Sequence, residues 1–545
     1  MIIKDSYSLL YPDDASRAEH DSGKLKADIS EDVISSVGLE DYILTRSVSV
    51  SEFFSTDTRT IEFRQGVFAD VIDIPQLSEA LVSVFPILND IIELRRLDSG
   101  KSESTESYLT SITEIELYIS CIEKLRDGFR GLREKVRSDV FARLIDTIET
   151  LTESDYYREL NEKLNELSGR VREIKSITVG VNLDDQLRPR DAGVLSINPV
   201  YFKSGDIIEK ILSFNFKNDE YTCIAPLVPF DRSQTENQRM ALSHAFYSAI
   251  NDVFKSSVKG WKRIVNEYVL ENTDFLLRIM PEIELIVKGA RFISSLKKQG
   301  CSVSFPKLAP SGEKAFTARG LYNPDVALRA ESGIVKNDIS FDDRGRLFVL
   351  TGPNRGGKSV ITCAVGMSQI LAQLGMPVPA DELTISPVSS LYTHFPSESG
   401  DTIDKGRLGE ECSRLSEIMS KVDGNSMILL DELLSSTGAY EASYIAEDLL
   451  AGLSVIGCRG IFSTHLHELA ARLDEINSRS AEFGGVGVDS LVAEIEDGKR
   501  SFRIVRRRPD GKSYARDITD KYGISFDRIV EKVRDDGSRK QAEDN

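Results

Sequence analysis

The eight residues GPNRGGKS, Gly352 to Ser359, fit the spacing G-x-x-x-x-G-K-S. Glycines at these positions let backbone N–H groups approach phosphate oxygens. A lysine after the last glycine reaches the outer phosphates, and the following hydroxyl can ligate magnesium. The apolar run RLFVL precedes the loop, and the helical pattern SVITCAVGMSQILAQLG follows it, so a helix N-terminus faces the anion. A second group, SMILLDE, ends an apolar run in Asp431 and Glu432. An acid there can hold the magnesium shell, and its neighbour can orient or deprotonate an attacking water. In a third run, GIFSTHLHEL, the strand-like part ends in Thr464 and His465.

These groups need elements to position them. From about Pro306, short apolar strands (LFVLTG, MILLDE, GIFSTH) alternate with helical segments, which predicts an α/β layer with a largely parallel sheet. From about Asp57 to Ile174 the pattern is helical. Leu109, Ile112, Ile115, Ile119, Ile122, Leu125, Phe129, Leu132, Val136, Val140, Leu144, Ile148 and Leu151 recur at steps of three and four, one apolar stripe on a long helix or a closely joined pair. SITVGVNL, Ser176–Leu183, alternates as a strand does, and LRPRDAGVLSIN reads as a turn and a second strand. Helical periodicity returns from about Glu236 to Lys298, with Phe246, Ile250, Phe254, Trp261 and Ile264. The first 50 residues are polar and weakly patterned, apart from a strand-like piece near Ser6–Leu10.

The expected fold is therefore multidomain. Residues 1–56 form an N-terminal extension, and 57–305 a mainly α-helical region with a β insertion near 176–230. An α/β phosphate-loop domain covers 306–535, and 536–545 is a flexible tail. The chain's 545 residues exceed what one core holds. Its composition, 41% hydrophobic and 28% charged, is that of a soluble globular protein. No apolar run nears the ~20 residues of a membrane span, and MIIKDSYSLLYPDD carries no secretory pattern. The six cysteines form no CxxC pair, which suits reduced packing residues in a cytoplasmic protein. A net charge of −19 argues against a surface coated for nucleic acid, though a local basic surface would suffice to bind it.

The motifs together resemble the MutS family of mismatch-repair ATPases. TGPNRGGKS is similar to that family's TGPN-x-GGKS loop, LLDEL with SSTGAYEA to its DE motif and the loop after it, and STHLHEL to its TH-x-x-EL segment. GMPVPA, Gly375–Ala380, resembles the family's VPA element, and KND, Lys336–Asp338, its PND turn near the adenine. The resemblance implies an ATPase domain of the ABC class behind a helical core and lever. The implied cofactors are ATP and Mg2+. The implied nucleotide contacts are Asn337, Gly352, Pro353, Asn354, Arg355, Gly356, Gly357, Lys358, Ser359 and Val360. Ser359 and Asp431 would serve the metal, Glu432 would be the catalytic base, and His465 would sense the γ phosphate.

Further implications are DNA held by backbone and shape, a homodimer through the ATPase domains, and other repair proteins as partners. Segments around Gly406 and Ser435–Thr437 would complete the site of the opposite chain. Departures are also visible. The G-x-F-Y-E mismatch reader, the C-terminal dimerisation helices and a nuclease module are not recognisable. DKGRLGEECSRLSEIM places Leu408 where the family signature has a serine. A nucleotide-switched interaction protein that does not itself recognise mismatched DNA is the alternative. KLRDGFRGLREKVR puts Arg126, Arg130, Arg133 and Arg137 on one side of a helix. That suits a solvated face better than a phosphate track. The basic run Lys499–Ala515 is expected to serve packing or dimer contacts rather than DNA.

Overall fold

The computed structural model describes residues 7–98, 105–172, 175–183, 185, 189–201, 275–330, 333–395, 407–434, 437–496, 499–509 and 522–530. Two compact units result: Met1–Tyr7 with Ile74–Ile283, and Ser8–Asp73 with Glu284–Asn545. Among the described residues no single helix is long and apolar enough to cross a membrane.

The first unit is mainly helical. Its long stripe is a joined pair: one helix runs Thr105–Phe129, a turn follows, and the next spans Asp139–Glu153. From Ile115 to Leu151 every residue of the stripe is buried. The side chains of Leu109 and Ile112, and the segment with Phe246 to Ile264, lie outside the description. Because the first helix stops at Phe129, the four arginines do not share one helix face. Arg126 instead bonds Asp127 at 3.1 Å, and Arg133 bonds Asp146 at 2.6 Å, as a solvated surface would arrange them. β1 (Ser176–Leu183) pairs antiparallel with β2 (Pro189–Asn198), the expected insertion.

The second unit carries two sheets. β3 (Lys307–Leu308), β4 (Phe316–Leu321), β5 (Asn337–Phe341) and β7 (Glu382–Ile385) form one, in the order β3-β7-β4-β5. The other contains β6 (Leu347–Thr351), β8 (Leu391–His394), β9 (Met427–Asp431), β10 (Arg459–Ser463), β11 (Val488–Glu496) and β12 (Lys499–Arg506), in the order β12-β11-β6-β10-β9-β8. All its pairings are parallel except that of β12. Every residue of β6, β9 and β10 is buried, which is why they read as unbroken apolar runs rather than alternating ones.

Ser8–Asp73 is an ordered part of this unit. Residues 7–10 take no strand, but three short helices follow. Asp13 caps the helix Asp14–Asp21; Ser30 caps Glu31–Val37, which Gly38 ends at φ 85°. Asp28 extends the edge of β8, donating to Ser389 O at 2.8 Å and accepting from Leu391 N at 3.2 Å. The helix Glu31–Val37 lies on the phosphate-loop helix, Lys358–Gln373. Their approach requires Gly366, whose Cβ would stand 2.7 Å from Leu429 Cδ1 and 3.0 Å from Val37 Cγ1. Buried Arg64 secures the segment by donating to Leu10 O at 2.9 Å and to Phe53 O, with its guanidinium over Tyr11.

Candidate nucleotide site

β6, β9 and β10 are neighbours and parallel, so the segments leaving their C-terminal ends converge. Ser463 stands opposite both Leu350 and Asp431. This brings the glycine loop, the acidic pair and His465 to one edge of the sheet, where ligands of open α/β sheets bind.

The loop's backbone depends on its glycines at two points. Gly352 has φ 142°, and a Cβ there would lie 2.7 Å from Ala493 Cβ and 3.1 Å from Ala493 N on β11. Gly357 has φ 94° and starts the helix Lys358–Gln373 without any side-chain cap, so the first-turn N–H groups stay available. Lys358 is buried and its Nζ donates to Gly352 O at 3.1 Å and Pro353 O at 3.2 Å. Burial lowers its pKa from the ordinary value, while the charges of Glu432 and Asp431 oppose that shift. Ser359 and Val360 are exposed on the first turn.

Asp431 is 6% exposed, and its Oδ1 has no hydrogen-bond partner. A buried carboxylate oxygen without a donor is costly unless a cation is its partner. Glu432 follows in the left-handed region, φ 48°, with its N–H bonded to Ser463 O at 2.9 Å. Its Oε1 lies 2.8 Å from His465 Nε2. A carboxylate only accepts, so Nε2 carries the proton in this pair.

Beside the loop is a cavity of about 510 Å³. Arg355, Gly356, Gly357, Lys358, Ser359 and Glu432 form its polar end. Val326, Ile334, Val335, Val360 and Phe502 form an apolar wall. Asn337 also lines it, but its amide is engaged with β12: Nδ2 donates to Phe502 O at 3.2 Å, and Oδ1 accepts from Ile504 N at 2.6 Å. Of the other expected site residues, Gly352, Pro353, Asn354, Asp431 and His465 stand outside the cavity lining. Gly406, Ser435 and Ser436 lie outside the described residues.

Sequence reading missed the apolar wall. Phe502 arrives through a bulge, where the register slips between Ala493 and Ile495 and Phe502 adopts φ 57°. The basic run therefore supplies a cavity residue as well as packing, with Arg506 bound to Asp342 and Asp489, each at 2.7 Å. A signal for the wall did exist in LYNPDVALR: Asn323 caps the helix Pro324–Arg329, which presents Val326. Among the described residues no group of three or more His, Cys, Asp or Glu is placed to hold a metal.

A family model for MutS domain V matches residues 348–515, and one for the MutS2 N-terminal domain matches 56–309. A DNA mismatch repair protein MutS of Prochlorococcus marinus is 36% identical over 216 residues, 39% of this chain and 23% of that protein. One from Caldicellulosiruptor bescii is 26% identical over 440 residues, 70% of this chain and 49% of its own length. An Endonuclease MutS2 of Caldanaerobacter subterraneus is 27% identical over 281 residues, covering 50% and 32%. The chain thus spans half or less of each of these relatives.

Proposed function

The chain is a divergent MutS-related protein, and from that premise we propose that it binds ATP with magnesium in this cavity, hydrolyses it, and acts on DNA. The observation that carries the reading is the convergence of Lys358, Asp431 and the Glu432–His465 pair at the ends of three adjacent parallel strands. The ABC-class assignment of the domain belongs to the same reading.

The residues present fit a magnesium nucleotide. Ser359 and Asp431 would supply the few oxygen ligands magnesium takes from protein, and Asp431 Oδ1 has no protein donor to give up. Bound there, magnesium would neutralise charge on the phosphate oxygens. Lys358 and the first-turn N–H groups hold the phosphates. The apolar wall, Phe502 included, receives the base. Glu432 would take the proton of the water that attacks the outer phosphate as ADP leaves, and His465 orients that carboxylate.

Two copies would face each other through these domains as an ATP-driven clamp around DNA, held by backbone and shape. A second reading, a nucleotide-switched interaction protein, draws support from the net charge of −19 and from Arg126 and Arg133 being bonded to aspartates. The nucleotide claim is tested by Lys358→Ala with a fluorescent ATP analogue. Affinity falls by at least about a hundredfold as the phosphates lose their main side-chain cation. Unchanged affinity in the folded variant removes the claim.

A further inference from the structure

The turn that carries Glu432 is held in a conformation its residues disfavour. Glu432 has φ 48° and Leu434 φ 59°, two left-handed residues within three positions, neither a glycine. Such a turn persists only where its surroundings fix it. One tie is Glu432 N–H to Ser463 O at 2.9 Å. A second comes from outside the turn: Leu434 N–H donates to Glu411 Oε2 at 2.8 Å. Leu434 is 1% exposed and part of the core that also contains Leu430, Leu433 and Leu415. Its N–H therefore has a substantial need for an acceptor.

Glu411 stands on the helix Arg407–Met419, which seats Leu408, Cys412, Leu415 and Ile418 against that same core. The apolar face fixes the helix, and the helix aims the carboxylate. Charge alone would not place an acid here, since Asp431 and Glu432 are close in the chain and carry the same sign. Glu411 also lies within electrostatic reach of His394, buried at the end of β8, where Arg414 acts on the imidazole in the opposite sense. A carboxylate accepting a backbone N–H is a strong hydrogen bond, strong enough to hold a strained turn.

We propose that Glu411 is a positioning residue for ATP hydrolysis, holding the Glu432 turn in its left-handed form by accepting the Leu434 N–H. The proposal rests on the reading of Glu432 as the base. It adds that the placement of helix Arg407–Met419 sets the aim of that base.

The test compares Glu411→Ala and Glu411→Gln in the full chain, by amide exchange at Leu434 and by separate measurement of ATP affinity and kcat. Glutamine keeps an acceptor; alanine does not. In Glu411→Ala, Leu434 exchanges about tenfold faster and kcat drops about tenfold, the scale of one lost charge-assisted hydrogen bond, while ATP affinity stays within about twofold. Glu411→Gln retains at least about half of wild-type kcat and the wild-type exchange rate. Wild-type kcat in Glu411→Ala overturns the proposal, and so does a glutamine variant as impaired as the alanine one. If the wild-type chain releases no phosphate, the reading of Glu432 falls, and Leu434 exchange alone decides: an unaltered rate in Glu411→Ala overturns the positioning role.

Discussion

On the proposed reading, Glu432 and His465 form the pair on which the chemistry turns. A carboxylate 2.8 Å from an imidazole N–H is oriented by it, and the left-handed φ of 48° turns the Glu432 side chain away from the line of β9. Replacing Glu432 with glutamine keeps size and polarity and removes the base. Hydrolysis then slows by at least about a hundredfold while ATP still binds, the usual scale for a missing general base. Single-turnover phosphate release and equilibrium ATP binding check both halves, and near-wild-type turnover would assign the water to another group. The residue types of the phosphate end were legible in the sequence because fixed spacing imposes the loop: glycine at 352, glycine at 357, lysine and serine next. Phe502 was not legible. It reaches the cavity only because β12 bulges against β11, and no spacing in KRSFRIV announces that.

At the level of elements, β6, β9 and β10 were plain in the sequence, since burial on both faces leaves uninterrupted apolar runs. The break at Phe129 was left open because a helix pair joined by a short turn keeps the period of its stripe. The first 56 residues were the least legible. Their short helices bury few side chains each, and their order comes from partners far along the chain, such as Gln373 Nε2 bonded to Ser55 O at 3.0 Å. His20 shows the consequence. It is buried, with Nδ1 3.0 Å from Tyr11 Oη and Nε2 3.0 Å from Phe54 O. Burial, then the charge of Arg64, hold its pKa below the ordinary 6.5, with Lys26 adding to the fall and Asp21 opposing it. His394 is shifted the same way, by burial first. A histidine whose folded pKa is depressed binds fewer protons than in the unfolded chain. Its contribution is intact above 6.5 and is lost as pH falls through the folded value. Thermal stability therefore declines as pH falls below about 6.5, and less steeply in His20→Gln. Identical pH slopes for variant and wild type would remove His20 from the account.

For the molecule as a whole, MutS-like sequence covers residues 56–309 and 348–515, and the α/β unit brings Lys358, Asp431 and the Glu432–His465 pair to the ends of adjacent strands. The net charge of −19 is unfavourable to nucleic acid, so the proposed contact with DNA would be local and salt-sensitive, with little regard for sequence. Nucleotide and DNA would then be linked: a chain that grips DNA differently when ATP is bound must bind ATP differently when DNA is bound. The direct measurement is steady-state phosphate release by the full chain with magnesium ATP at low salt, with and without duplex DNA, using Glu432→Gln as the blank. The account predicts magnesium-dependent release above that blank, altered by DNA, with the DNA effect fading as salt rises. Release no greater than the Glu432→Gln blank, with and without DNA, would contradict it.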